Sequence, residues 1–368
     1  MKPSAQQDNA LKAVDRWFKD RSGPPFFYLG GYAGTGKSTL AKHFAENIDG
    51  LVLYGAFTGK AALVMQTKGC ENASTIHSMI YTVIERKNAP PYFLLNADSE
   101  VKDAELVIID EVSMVGEDLG RDLLKFGTKV LVLGDPLQLP PIDGPGYFTY
   151  GDPDFMLTDI HRQAADNPII HMSMLVREGH NLPVGAYGES AVISRADVTP
   201  EIVLGAEQVL VGMNRTRHAY NRRIRELLQR PPDVTQGDRV ICLRNVKEKG
   251  LLNGSLWNVC DVVQRPTKKK RIIKLLVDPL DAGMVMRSQE VRVHEYFFQG
   301  RDKELEWSEL KGLDQFDFGY AITCHKAQGS QWDNVVTFNE SGAFRDEAPR
   351  WLYTAITRAA EKTTVVMP

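Results

Sequence analysis

Apolar residues recur at helical spacing over residues 8–19, where Leu11, Val14, Trp17 and Phe18 share one face, and Pro24-Pro25 ends that stretch. Short apolar runs then alternate with helical patterns. FFYLG precedes a helix over residues 37–48, LVLYGAF precedes one over 60–67, and LVIID and VLVLG follow. Strands spaced by helices predict a parallel sheet covered on both faces. The same alternation returns in QVLVGMN with a helix over 215–229, and again in DNVVTF, a helix over 348–358 and TTVVM. Two α/β units are therefore expected.

Two segments break the alternation. Residues 82–100 (TVIERKNAPPYFLLNADSE) contain Pro90-Pro91, which forbids a continuous helix, and their flanks can pair as a small hairpin. Residues 237–310 hold short β-like runs (RVICL, WNVCDVV, RIIKLLV, VRVHEYFF) separated by Gly, Asn and Pro, the pattern of a small β-barrel inserted into the second unit. The expected division is 1–80 with 101–160, a hairpin at 81–100, 161–236 with 311–368, and the barrel at 237–310.

Composition narrows the class. Hydrophobic residues make up 43% and charged residues 25% of 368, the balance of a globular chain. The formal charge of −3 offers no global field for a polyanion, so any nucleic-acid site has to be a local groove. No apolar run approaches the ~20 residues that cross a bilayer, and the N-terminus lacks a signal-peptide core. A cytoplasmic protein is the expectation, in a bacterium or a phage-infected host. Cys70, Cys242, Cys260 and Cys324 form no CxxC pair and the eight histidines no HExxH, so no metal is expected beyond nucleotide-bound Mg²⁺.

The strongest chemical signal is Gly31-Tyr-Ala-Gly-Thr-Gly-Lys-Ser38, a complete GxxxxGK[ST] loop between an apolar strand and a helix. Its backbone N–H groups, from Ala33, Gly34, Thr35 and Gly36 through Lys37, Ser38 and Thr39, can wrap phosphate oxygens, and the helix N-terminus adds positive potential. Lys37 should reach the β/γ-phosphates and Ser38 should ligate Mg²⁺. The run Leu106-Val-Ile-Ile-Asp110-Glu111 puts Asp110 at the carboxyl edge of the same sheet, where it would hold the Mg²⁺ shell. Glu111 would deprotonate the attacking water, which favours hydrolysis over transfer to a second substrate.

From Gln7 to Arg358 further motifs follow in an order that resembles superfamily 1 DNA helicases of the RecD/Dda-like branch. Ser4-Ala-Gln-Gln7 resembles the adenine-reading Q motif, 56–65 (AFTGKAALVM) motif Ia, and Ser74-Thr75-Ile76-His77 motif Ib. Asp110-Glu111-Val-Ser-Met114 resembles motif II, and Leu133-Gly134-Asp135-Pro136-Leu137-Gln138-Leu139-Pro140 motif III, whose Gln138 would sense the γ-phosphate. Leu157-Thr-Asp-Ile-His161-Arg162-Gln163 resembles motif IV, Ala321-Ile-Thr323-Cys-His325-Lys326-Ala-Gln328-Gly329-Ser330 motif V, and Tyr353-Thr-Ala-Ile-Thr-Arg358 motif VI. One departure is Gln331, where the family commonly carries an acid that reads the ribose.

The resemblance implies two RecA-like P-loop domains with a hairpin insertion in the first and an SH3-like β-barrel insertion in the second. It implies ATP and Mg²⁺ as cofactors, and single-stranded and forked DNA as partners. Replication or recombination proteins would be associates, and the chain would act as a monomer moving 5′→3′. Gln7 and Gly329 join the nucleotide set. Arg162 and Arg358 would stabilise charge on the γ-phosphoryl group across the cleft. Phe57, Thr58, Lys60, Thr75 and His77 in the first unit, and Thr323, His325 and Lys326 in the second, would line the strand. The two histidines read equally well as hydrogen-bonded structural residues.

A basic stretch (Arg215, Arg217, Arg222, Arg223, Arg225, Arg230) and Lys268-Lys269-Lys270-Arg271 offer a minority of phosphate contacts, while Trp257, Tyr296 and Phe297 are expected to fill the barrel. Pro90, Pro91, Tyr92 and Phe93 would form a stiff pin that splits the fork, the alternative being that both rings tuck back onto the first unit. Two other functions stay open: an RNA helicase of the same superfamily, and a nucleotide-gated binding or loading protein that does not unwind. Glu111, Arg162 and Arg358 count against the second, since a binder needs no hydrolytic set.

Overall fold

Ser4 opens the first helix, Ala5–Lys19, through a capping box: its hydroxyl accepts the Gln7 N–H at 3.2 Å, and Gln7 Oε1 accepts the Ser4 N–H at 3.0 Å. The helix buries Ala10, Val14 and Trp17 against the first sheet's core. The computed structural model describes residues 3–86, 89–142, 144–159, 167–267, 270–281 and 288–368. Arg162, together with His161 and Gln163, lies outside the described residues, as do Lys268 and Lys269.

Among the described residues, six parallel strands form the first sheet in the order Ala73–Thr75, Val52–Ala56, Leu106–Asp110, Lys129–Gly134, Phe26–Gly31, Phe155–Leu157. Central strands such as Leu106–Asp110 are buried on both faces, as a doubly covered parallel sheet requires. Register aligns the motifs: Gly30 pairs with Gly134 and Ala56 with Asp110, so the phosphate loop, motif III, motif Ia and motif II all leave the same sheet edge.

The second sheet runs Ala321–Thr323, Gln208–Val211, Trp332–Phe338, Ala359–Met367, Ser190–Ser194, Gly185–Tyr187, parallel except for its last pair. Val211 pairs with Thr323, which brings motif V to the edge of this sheet. The two α/β units follow the sequence pattern.

The inserted segment is a five-stranded antiparallel sheet, Gln289–His294, Ile272–Pro279, Leu256–Gln264, Arg239–Cys242, Phe316–Phe318. Its last strand comes from beyond residue 310, because ladder pairing rather than chain continuity selects the partner of Arg239–Cys242. The sheet curls until its edges meet at one backbone bond, Asp314 N–H to Arg292 C=O at 2.8 Å. Among the described residues no continuous ladder joins those edges. Trp257 and Phe297 fill its core as expected. Tyr296 instead stacks outside it under Arg301 and Arg271, at 4.0 and 5.2 Å.

Tyr81–Ile84 and Tyr92–Leu95 pair antiparallel as the predicted hairpin. Among the described residues no helix is long and apolar enough to cross a membrane.

Candidate active site

The phosphate loop turns through Gly34 and Gly36, both with φ near +80°, a region that favours glycine. Gly36 leads into the helix Lys37–Ala45, whose first N–H groups face the loop. Gly31 is forced for a different reason, since a Cβ there would sit 2.7 Å from Thr35 Oγ1. Lys37 folds back onto its own loop and donates to the carbonyls of Gly31 and Tyr32, the latter at 3.0 Å. Ser38 Oγ donates to Asp110 Oδ2 at 2.7 Å, a pair of hard oxygen ligands at the mouth of the loop. Their chemistry fits Mg²⁺. Gln7 is buried and donates from Nε2 to Thr35 C=O at 3.0 Å, which ties the first helix to the loop.

Glu111 follows Asp110 in a left-handed conformation (φ 53°, ψ 46°), a strained backbone for a non-glycine residue of the kind found at functional turns. Its carboxylate meets Arg358, Nη1 to Oε1 at 3.8 Å. Gln138, its amide oriented to satisfy its neighbours, donates to Glu111 Oε2 at 2.8 Å and accepts from Arg358 Nη2 at 3.2 Å. Desolvation raises the Glu111 carboxyl above its ordinary range, and Arg358 opposes that rise. Arg358 is itself buried and donates to the carbonyls of Thr354 and Ser330, both at 3.2 Å. Three predicted residues from two units thus converge ahead of the phosphate loop.

A second cavity, about 120 Å³, gathers Phe57, Thr58, Lys60, His325 and Lys326 of the predicted strand-binding set. It adds Asn253 and Gly254 from the inserted sheet, which no motif signalled. Lys326 donates to Asn253 Oδ1 at 2.6 Å, and burial lowers its pKa. Thr58, Thr75 and Thr323 each cap a helix, accepting the N–H groups of Ala61, Ser78 and Lys326 at 3.1, 3.1 and 3.3 Å. The His77 ring joins Phe57, Tyr81 and Phe93 in an aromatic cluster with centroids 5.6–6.1 Å apart, and burial lowers its pKa. His325 is likewise shifted down by burial, beside Phe344.

Lys60 is almost fully buried, with Nζ 2.8 Å from Asp281 and 4.7 Å above the Trp332 ring, so protein rather than solvent surrounds its charge. A Cβ at Gly329 would stand 3.0 Å from Ala61 Cβ and 3.4 Å from Thr58 Oγ1. Close approach of the two units and a φ of +74° both favour glycine there. In the basic helix Asn214–Leu227, Arg225 is bound by Asp238 and the carbonyls of Pro231, Pro232 and Asp233, and Arg217 pairs with Asp317. These two arginines hold the fold together.

Residues 4–197 match a family model described as an AAA domain, and residues 318–366 match the UvrD-like helicase C-terminal domain. An ATP-dependent RecD2 DNA helicase from Deinococcus radiodurans is 29% identical over 91% of this chain. The chain belongs to the AAA-domain family, as a RecD/Pif1-like member of superfamily 1. This RecD/Pif1-like chain spans less than half the length of the first curated relatives it matches, 46% of the RecD2 helicase and 38% of an uncharacterised protein from Methanocaldococcus jannaschii. An ATP-dependent DNA helicase Pif1 from Campylobacter jejuni is 23% identical, with 92% of this chain and 87% of that one covered. Among solved structures, Pif1 from Bacteroides in complex with ADP-AlF3 and ssDNA superimposes with a TM-score of 0.57 at 18% identity, over 99% of this chain and 92% of that one. Pif1 from Candida albicans also gives 0.57, at 19% identity and covering 99% and 94%. The fold is shared.

Proposed function

We propose that this chain hydrolyses ATP to move along single-stranded DNA and to unwind duplex at a fork. The observation that carries the reading is the convergence of Glu111, Gln138 and Arg358 across the cleft in front of the phosphate loop. A nucleotide-binding module needs the loop. It does not need a base held by a γ-phosphate sensor and a cation delivered from a second unit. In this reading Lys37 leaves the carbonyls of Gly31 and Tyr32 for the phosphates, and Glu111 takes a proton from water. Arg358, together with Arg162, balances charge on the transferring group. Ser38 and Asp110 would hold Mg²⁺, which when bound neutralises charge on the β- and γ-phosphate oxygens. Thr35 and Gln7 set the loop edge where the base would lie.

Strand contacts fall to Phe57, Thr58, His325 and Lys326 in the second cavity. The relatives named as DNA helicases, and the solved Pif1 with ssDNA, support DNA as the track. The motif resemblance supports 5′→3′ movement, with a first unit at 1–80 and 101–160, a pin at 81–100, a second unit at 161–236 and 311–368, and the inserted barrel at 237–310.

Strand displacement on forks carrying only a 5′ or only a 3′ tail tests the reading. The 5′-tailed fork should open in an ATP-dependent reaction, and Lys37→Ala should abolish both ATP turnover and opening. Opening of the 3′-tailed fork alone would reverse the polarity, and RNA-restricted stimulation of ATPase would change the track. Turnover without opening of either fork would leave a translocating or loading ATPase.

A further inference from the structure

One hydroxyl stands where the phosphate loop, the segment that begins at Asp135 and the helix Ala348–Ile356 meet. Tyr353, on the helix Ala348–Ile356 of the second unit, is 2% exposed and touches the first unit twice through Oη. It accepts the N–H of Ala33 at 3.1 Å, inside the phosphate loop, and donates to Asp135 Oδ2 at 2.5 Å. Asp135 is also 2% exposed, and its other oxygen accepts the Leu137 N–H at 3.0 Å. A buried hydroxyl bonded to a carboxylate is a strong, directional contact, since a phenol has one proton to give and lone pairs for one or two donors.

The segment that begins at Asp135 ends inside the other unit. Leu139 packs in the second unit's core, beside Ile322 and Trp351. Its N–H is taken by Thr354 Oγ1 at 3.0 Å and its C=O by Gln328 Nε2 at 2.8 Å. Gln138 therefore sits on a strap whose near end is held by Tyr353 and whose far end is held by Thr354, the next residue of the same helix. Arg358 follows that helix and donates from Nε to Thr354 C=O. The phosphate sensor and the cross-cleft cation share one support, and that support reaches the phosphate loop through Tyr353 Oη, beside a second contact from the same unit in which Arg177 lies 4.3 Å over the Tyr32 ring.

We propose that Tyr353 is a positioning residue that reports occupancy of the phosphate loop to Gln138 and Arg358. A phosphate drawn into the loop competes with Tyr353 Oη for the Ala33 N–H. The hydroxyl then keeps Asp135 alone, and the strap and helix shift together relative to the loop. Emptying the loop restores the Ala33 bond. This rests on the ATPase reading above, and it adds the element by which nucleotide state would reach the strand groove, whose Gln328 and Ser330 lie in the same strap-and-helix contacts.

The test uses Tyr353→Phe, which keeps the ring in its packing and removes only the hydroxyl. Its readouts are steady-state ATPase with saturating single-stranded DNA, and single-strand affinity without nucleotide and with ADP–aluminium fluoride. Wild type should show an affinity difference between the two states of about fivefold or more, the scale of an ordinary coupling. In Tyr353→Phe that difference should shrink towards ~1, and kcat should fall ~10-fold or more with KM for ATP changing far less. Asp135→Asn should do the same, and the double variant should be no worse than either single one, because they break one link. A merely structural tyrosine would lower thermal stability and leave the nucleotide-dependent affinity difference intact. If wild type hydrolyses no ATP, the functional reading fails. If wild type is active and Tyr353→Phe keeps both its kcat and its affinity difference, the relay alone is overturned. If Tyr353→Phe does not fold, Asp135→Asn decides by the same two readouts.

Discussion

Glu111 must be ionised to accept a proton from water, and its surroundings resist ionisation. Burial in the floor of the cleft raises its pKa, with Asp110 adding to the rise and Arg358 and Lys37 opposing it. Since the charged form is the active one, turnover should increase with pH through that raised value, so the acid limb of the kcat profile lies above the ordinary glutamate range. Arg358→Ala removes the main opposing cation. It should lower DNA-stimulated turnover by ~10³ or more and move the acid limb of the residual rate to higher pH. A profile whose acid limb stays put in Arg358→Ala would separate Glu111 from Arg358. The site was legible to this depth because Lys37, Asp110 and Glu111 stand in short strings whose residue types the chemistry demands, and Gln138 and Arg358 in strings that resemble superfamily 1 motifs. Tyr353 was not. Its partners Ala33 and Asp135 lie 320 and 218 residues away, and a tyrosine in such a string reads equally well as core aromatic. The partner of Lys60 was hidden for a related reason: its string suits a strand-binding lysine, and only the fold brings Asp281 to it.

At the scale of elements, two expectations separate. The helix Asn214–Leu227 reads as a basic face, yet Arg225 is a buried bolt between the second unit and the start of the inserted sheet, with Nε and Nη2 each 3.0 Å from the fully buried Asp238. Arg225→Ala should destabilise by about 3–5 kcal/mol, the usual penalty when a buried charge loses its partner. Arg222→Ala, on the exposed side, should change stability by less than ~0.5 kcal/mol. Denaturant midpoints of the two variants check the contrast, and equal shifts would sink it. The fifth strand, Phe316–Phe318, escaped the sequence pattern because three residues carry too little period-2 signal to be read.

The hairpin was legible from Pro90-Pro91, and its rings divide between both expected fates. Phe93 rests 5.6 Å from His77 and 5.7 Å from Tyr81, while it and Tyr92 keep about half their surface exposed. Arg86 braces the far end, with Nε donating to Pro90 C=O at 2.7 Å and the guanidinium 5.4 Å over Tyr92. If the hairpin is the proposed pin, its root is the packing of Phe93 on His77 and Tyr81, and its exposed ring faces would meet the fork. Replacing 90–93 by a Gly-Ser turn should preserve DNA-stimulated ATPase and strongly reduce unwinding, since each lost stacking ring is worth ~1–3 kcal/mol per base. Parallel loss of both activities would make the hairpin a structural part of the first unit instead.

Across the whole molecule, one ion pair joins all three pieces. Lys60 comes from the first unit, Trp332 beneath it from the second, and Asp281 follows the inserted sheet's strand Ile272–Pro279. Asp281 also accepts the Leu256 N–H at 2.8 Å, so its carboxylate is fixed where it meets Lys60. Lys60 itself lines the cavity that holds Phe57, His325 and Lys326, with the Asp281 carboxylate on its ammonium. In the proposed reading, a strand entering this cavity would have to displace Asp281 or do without Lys60. Asp281→Asn keeps the side chain's shape and removes its charge, so Lys60 becomes available to a phosphate. Single-strand affinity at low salt should rise, and the plot of log affinity against log salt should steepen by about 0.7, one further counterion released from a single strand. Lys60→Ala in the Asp281→Asn background should return the slope to the wild-type value, which separates a new Lys60–phosphate contact from a general change in the groove's field. An unchanged slope in Asp281→Asn, or a steepened slope that survives Lys60→Ala, would leave the pair as a structural clamp among the three pieces with no part in gripping the strand.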